Sequence, residues 1–202
     1  MKAFRIPLLC LCLGFAGGCA TARNGQELAN TFETGVAAYD AGDHARAFSI
    51  WSALTDQDLA AMRNVAMMLR TGDGVKKDPA AAEDMYRRAA QAGLPTAQAD
   101  LADMLLKGEA GPPNPKAALP LLSAAAAANH PVAQYELAQM YETGEGGLVP
   151  RDMNTARNLY AAAASHGMKE AAERLRQLGP PVPAARPSIV AGPQPTAASP
   201  KP

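Results

Sequence analysis

The sequence predicts an all-α fold, a right-handed α-solenoid of stacked antiparallel helix pairs. Three observations carry this expectation. Ala61, Ala97 and Ala133 are spaced by 36 residues, and so are Gly72, Gly108 and Gly144, a period that marks a repeat array. Apolar residues make up 48% of the chain but aromatic ones only 5%; alanine supplies the bulk, so helices must lie close together instead of surrounding one thick core. Amphipathic segments alternate with Gly-rich turns that end in an Asp or Asn cap, followed by Pro at Pro79 and Pro115, a signature of helix starts.

In order along the chain, residues 1–18 read as a secretory signal. Lys2 and Arg5 precede the apolar run IPLLCLCLGFA, which is too short to span a bilayer. The segment ends in AGGC, Ala16 to Cys19. Cys10 and Cys12 would leave with the signal, so that Cys19 is the single cysteine of the mature chain, an odd number for an exported protein unless it is modified. A competing cleavage point follows Ala22, where Ala20-Thr21-Ala22 forms an A-x-A site. Residues 19–25 are small and polar and read as a tether.

Residues 26–60 form a first helix pair. Gly35 and Ala38 are small where helices cross, Gly42-Asp43 breaks the pattern with Asp43 as N-cap, and Ala47 and Trp51 share one face. Three units follow over residues 61–96, 97–132 and 133–170. Ala66, Ala102 and Ala138 allow close helix approach, with Met68, Met104 and Met140 and with Leu69, Leu105 and Tyr141 filling the space beside them. Gly72, Gly108 and Gly144 end the first helices, where a left-handed residue is needed. Asp78, Asn114 and Asp152 are N-caps, and Gly93, Asn129 and Gly167 close the second helices. The third unit is longer by two residues, both placed in its turn. Pro120 sits inside a helix, where it predicts a kink or widened turn. A last helix near Lys169 to Leu178 caps the stack, with residues 171–179 outside the third unit, and residues 180–202 are proline-rich and read as disordered or extended.

These residues carry three resemblances. AGGC resembles the lipobox of bacterial lipoproteins, although Ala16 stands where the family usually has Leu; it implies cleavage between Gly18 and Cys19 and a lipid on Cys19. With Ala20 and not Asp after the cysteine, it further implies an outer-membrane anchor facing the periplasm. The opening pair resembles a tetratricopeptide repeat. The units with the turns RTGDGVKKDP, LKGEAGPPNP and ETGEGGLVPRD resemble the Sel-one-like repeat family, over roughly Ala61 to Ala171.

The sequence offers little chemistry. Lys and Arg number 19 against 19 Asp and Glu, which argues against nucleic-acid binding through a basic field. His44, His130 and His166 have no metal-ligand spacing. His130 and His166 read as residues of a helix start and a last turn, and Trp51 as core. Asp73, Glu109 and Glu145 recur in the turns, but one acid per turn is too few for a calcium cage, and they read as solvated. No catalytic residue, cofactor or metal is expected. The positions left over by packing are Met62, Met67, Arg70, Gln98, Asp103, Leu106, Gln134 and Gln139. In solenoids corresponding helices line one concave face, so these residues are expected to bind an unidentified envelope protein or peptide. The leading expectation is therefore a non-enzymatic envelope scaffold, membrane-attached through its lipid. A second is a part in exopolysaccharide export, from likeness to a shortened alginate-export lipoprotein. A β-lactamase-like activity is a third; it is associated with cysteine-rich relatives whose cysteine pairs this chain lacks.

Overall fold

The computed structural model describes residues 16–179, with side chains from Gly25 onward. Residues 1–15, most of the stretch read as a signal, and the proline-rich segment 180–202 lie outside the described residues, as does the side chain of Cys19. The described chain is helical throughout: α1 Ala16–Asp40, α2 His44–Ser52, α3 Leu59–Thr71, α4 Pro79–Gln91, α5 Pro95–Lys107, α6 Pro115–Ala127, α7 Pro131–Thr143, α8 Met153–Ser165 and α9 Lys169–Leu178. Each helix packs on the next in sequence, giving stacked antiparallel pairs whose core runs the length of the stack. α1 extends through residues 20–25, which the sequence suggested as a tether. No proline interrupts that stretch. No described helix is long and apolar enough to cross a membrane.

The repeat lengths follow from how each helix starts and stops. α3 to α8 are each 13 residues long. The side chains of Asp78, Asn114 and Asp152 accept backbone N–H bonds in the first turns of α4, α6 and α8, satisfying donors that a helix start leaves free. Gly72, Gly108 and Gly144 close α3, α5 and α7 with φ of 83°, 67° and 79°. The cap residue of each second helix then reaches back. The N–H of Asp78 donates to the Leu69 carbonyl, that of Asn114 to Leu105 and that of Asp152 to Tyr141, at 2.8, 2.7 and 2.9 Å. This clamp survives the longer third turn, whose extra residues are taken up by a 3-10 segment at Glu145–Gly147. Asn129 takes the left-handed conformation, φ 62°, where the other units use glycine.

Close approach is the packing rule. Ala66, Ala102 and Ala138 are completely buried, and Trp51, Tyr86, Leu122 and Tyr160 occupy one repeated buried position on the second helices. In the opening pair, a Cβ on Gly35 would stand 2.3 Å from the Trp51 ring, whose Nε1 donates to the Phe32 carbonyl at 3.2 Å. A side chain at position 35 would therefore drive α1 from α2.

Pro120 sits inside α6, as the sequence indicated. α6 is continuous through it from Pro115 to Ala127. Pro120 lies on the exposed face, opposite buried Ala118 and Leu122, so the Lys116 carbonyl that loses its donor is on the solvent side, where the loss costs least.

Candidate partner-binding groove

The leftover positions of the sequence reading separate into three groups. The first is structural. Met62, Gln98 and Gln134 are one repeated position on α3, α5 and α7, and it faces the preceding helix. Met62 is 5% exposed and Gln134 3%. Gln98 donates through Nε2 to the Ala90 carbonyl at 3.2 Å, and Gln134 to the Ala126 carbonyl at 3.3 Å. Both amides add a second bond to a carbonyl in the last turn of the preceding helix, which also accepts from the Gly93 or the Asn129 N–H, at 3.0 and 2.9 Å. They are helix staples, and their recurrence at a 36-residue interval was itself the signal of a structural role. Met67 is half-buried against the first core cluster.

The second group is ionic. Arg70 donates from Nε to Glu109 Oε2 at 2.8 Å and also pairs with Asp103. Asp103 receives a further bond from Lys107 at 2.9 Å. Hydrogen bonds from Arg70 hold the Glu109 carboxyl below its ordinary range. Burial pushes the Asp103 carboxyl up, but bonds from Arg70 and Lys107 outweigh it and the net direction is down. Beside this network Arg63 donates to Asp100 at 2.6 Å. α3 is thus tied to α5 by two arginines. Asp73 is engaged too: it accepts from the Tyr39 hydroxyl at 2.7 Å and pairs with His44, which stacks on the Tyr39 ring at 4.5 Å. These bonds lower its carboxyl and dock the first turn onto the opening pair. The expectation that Asp73 and Glu109 are merely solvated is corrected accordingly.

The third group forms a groove. Asp103, Leu106 and Gln139 come together with Lys107, Val132, Tyr135, Glu136, Met140, Glu145 and Met168 around a space of about 540 Å³ between α5 and α7. A second space of about 400 Å³ continues toward Arg63, Ala99, Asp100 and His130, sharing Val132 and Glu136. Val132, 40% exposed, is the one exposed large hydrophobic side chain among the described residues. Oε2 of Glu136 is shut off from solvent and accepts no hydrogen bond. Burial, reinforced by the Asp103 charge, pushes the Glu136 carboxyl up to about 7. His130 sits at the rim as the N-cap of α7, its Nδ1 accepting from the Ala133 N–H at 3.4 Å; burial lowers its pKa, which favours the neutral ring that this acceptor role requires.

Glu136, Val132 and Tyr135 were not singled out in the sequence. The available signal was register: Glu136 stands 36 residues after Asp100, and the positions of Arg63 and Arg70 become Ala99 and Leu106. Among the described residues no ion pair joins α5 to α7. At the next junction the charges reverse, with Glu142 of α7 accepting from Arg174 of α9 at 3.0 Å and from the Tyr160 hydroxyl at 2.8 Å. No cluster of His, Cys, Asp or Glu able to hold a metal ion is present among the described residues.

Sel1 repeats match residues 59–94, 95–130 and 131–168, each beginning at the helix pairs α3–α4, α5–α6 and α7–α8. The chain belongs to the Sel1 repeat family. It is similar to a Sel1 repeat protein from Oxalobacter formigenes, at 31% identity and TM-score 0.66 over 71% of this chain and 58% of that one. It also shares its fold with c5321, a protective antigen of uropathogenic Escherichia coli, at 24% identity and TM-score 0.69, covering 79% of this chain and 35% of that one. The chain thus spans between a third and three fifths of these two proteins. No curated protein matches it. In this Sel1 repeat protein the recurring glycines, alanines and Asp or Asn caps belong to the scaffold, and the α5–α7 groove lies where the repeats diverge.

The raised Glu136 carboxyl sets a pH signature. It binds its proton more tightly in the folded protein than in the unfolded chain, so the folded state is favoured at low pH and loses that advantage as pH rises from the ordinary glutamate range to about 7. Glu136→Gln removes the effect. In urea titrations the variant is expected to match the parent near pH 4 and to exceed it at pH 8 by about 1–2 kcal/mol, allowing for the solvent that reaches the group. A stability difference that stays constant with pH would contradict this.

Proposed function

We propose that this Sel1 repeat protein is a non-enzymatic, lipid-anchored scaffold of the cell envelope, attached to the outer membrane on its periplasmic side, that binds another protein or peptide through the α5–α7 groove. The observation that carries the binding reading is the groove itself. It combines the exposed Val132 with Leu106, Tyr135 and Met168 and with a carboxyl that finds no partner within the fold. A cleft of about 540 Å³ falls within the size that binding sites use, roughly 300–1,000 Å³. Repeat stacks present such surfaces because each unit spends its apolar face on its neighbours and leaves the first helices free to diverge. The Ala-Gly-Gly-Cys stretch ending at Cys19 supports the anchor.

Crosslinking in the envelope tests the groove. The parent is expected to capture a discrete partner that Val132→Asp loses, with the melting curve of the variant unchanged because the side chain is already exposed. An unchanged partner set would count against the groove. For the anchor, palmitate incorporation is expected in the parent and absent from Cys19→Ala, whereas a mature N-terminus at Arg23 would exclude lipidation.

A further inference from the structure

The chemistry of the groove narrows the class of partner, and this inference rests on the docking reading above. The junctions that follow α3 differ in one respect. α3–α5 is closed by Arg63 with Asp100 and by Arg70 with Asp103 and Glu109. α7–α9 is closed by Glu142 with Arg174. At α5–α7 the acidic side of the pattern persists in Glu136 and Glu145, while the cationic side has been replaced by Ala99 and Leu106. We infer that the α5–α7 groove docks a partner segment that presents a lysine or arginine side chain beside a bulky apolar one, the cation pairing with Glu136 and the apolar group resting on Leu106, Val132 and Tyr135.

Charge complementarity decides for this occupant. The groups facing Glu136 are Asp100, Asp103 and Lys107 from α5, Arg63 and Arg70 from α3, His130 at the start of its own helix and Glu145 from the following turn. Every cation among them is already committed: Arg63 to Asp100, Arg70 to Asp103 and Glu109, and Lys107 to Asp103. His130 accepts an N–H bond and is held neutral. Glu136 and Glu145 form no ion pair among the described residues. An incoming ammonium or guanidinium would meet the Glu136 side chain on the groove wall, a carboxyl with one oxygen occluded and without a donor, and a half-buried charge gains most from a partner that also hydrogen-bonds to it. An acidic segment would face carboxylates at both ends of the groove and is disfavoured. The apolar rim of Leu106, Val132 and Tyr135 gives no direction by itself but excludes water from the pair once covered.

Fluorescence polarisation with three labelled, end-capped nonapeptides tests the inference. Each carries leucines flanking a central residue that is arginine, norleucine or glutamate. At pH 8 and low salt the arginine peptide is expected to bind the purified protein at least 10-fold tighter than the norleucine peptide, with the glutamate peptide weakest. The arginine preference should shrink at pH 6, where Glu136 holds its proton and binding must expel it. It should fall below 2-fold in Glu136→Gln, and Val132→Ser, which removes apolar surface without adding charge, should weaken the arginine and norleucine peptides alike. Equal binding of arginine and norleucine peptides, or an arginine preference that survives Glu136→Gln, would overturn the inference and leave the groove as a docking site. Absence of binding by every peptide would also overturn it, and together with an unchanged crosslinking pattern for Val132→Asp would reject the docking reading too. The chain's own segment 180–202 contains Arg186 and Lys201. If Arg186→Gln with Lys201→Gln raises arginine-peptide affinity 10-fold or more, the occupant is that segment and not a separate partner, which overturns the inference as well.

Discussion

Everything in this fold depends on how near one helix can come to the next. Ala66, Ala102 and Ala138 have no exposed surface, and Gly35 leaves no room for even a methyl group beside Trp51. With so few aromatic side chains, burial must come from many close contacts between short helices, each adding a little dispersion and removing a little apolar surface from water. That geometry tolerates no change in helix register. It explains why the third unit puts its two extra residues into the turn and why the backbone clamp from Asp152 to Tyr141 persists there. A stack built this way is held by neighbour-to-neighbour terms, so each junction can vary without disturbing the others.

The variation that matters is electrostatic. The α3–α5 and α7–α9 junctions are tied by charges that cross from unit to unit, with the sign reversed between them. The middle junction keeps its carboxyls and has apolar residues where the arginines were. Within the fold that arrangement is unfavourable, because Glu136 is desolvated without a hydrogen bond to one of its oxygens and its proton affinity rises in response. A site that costs stability in the free protein and is bordered by exposed apolar surface is what a binding surface looks like before its partner arrives.

The legible and illegible parts of the sequence divide along the same line. Gly72, Asp78, Asn129 and Trp51 could be read because each answers a local or periodic demand: a left-handed closure, an N-cap, a repeated core position. Gln134 looks spare in the sequence until the carbonyl it faces is known, and Met62 until the helix that buries it is placed. Pro120 could be placed inside α6 from sequence, but not on its exposed face. Glu136 was hidden for a different reason: its state depends on the absence of Arg at 99 and 106, and an absence shows only when one unit is laid over the next. Leu106, Asp103 and Gln139 were found in sequence, but what unites them is the space between α5 and α7.

The central claim is that the α5–α7 junction lacks a cation which the neighbouring units supply from within. Leu106→Arg restores one at the position of Arg70. The account predicts that a titration of Glu136 followed by carboxyl NMR shifts moves from about 7 toward the ordinary glutamate range in this variant, because the new guanidinium stabilises the charged form. A Glu136 titration unchanged by Leu106→Arg, in a variant that folds and melts as the parent does, would contradict it.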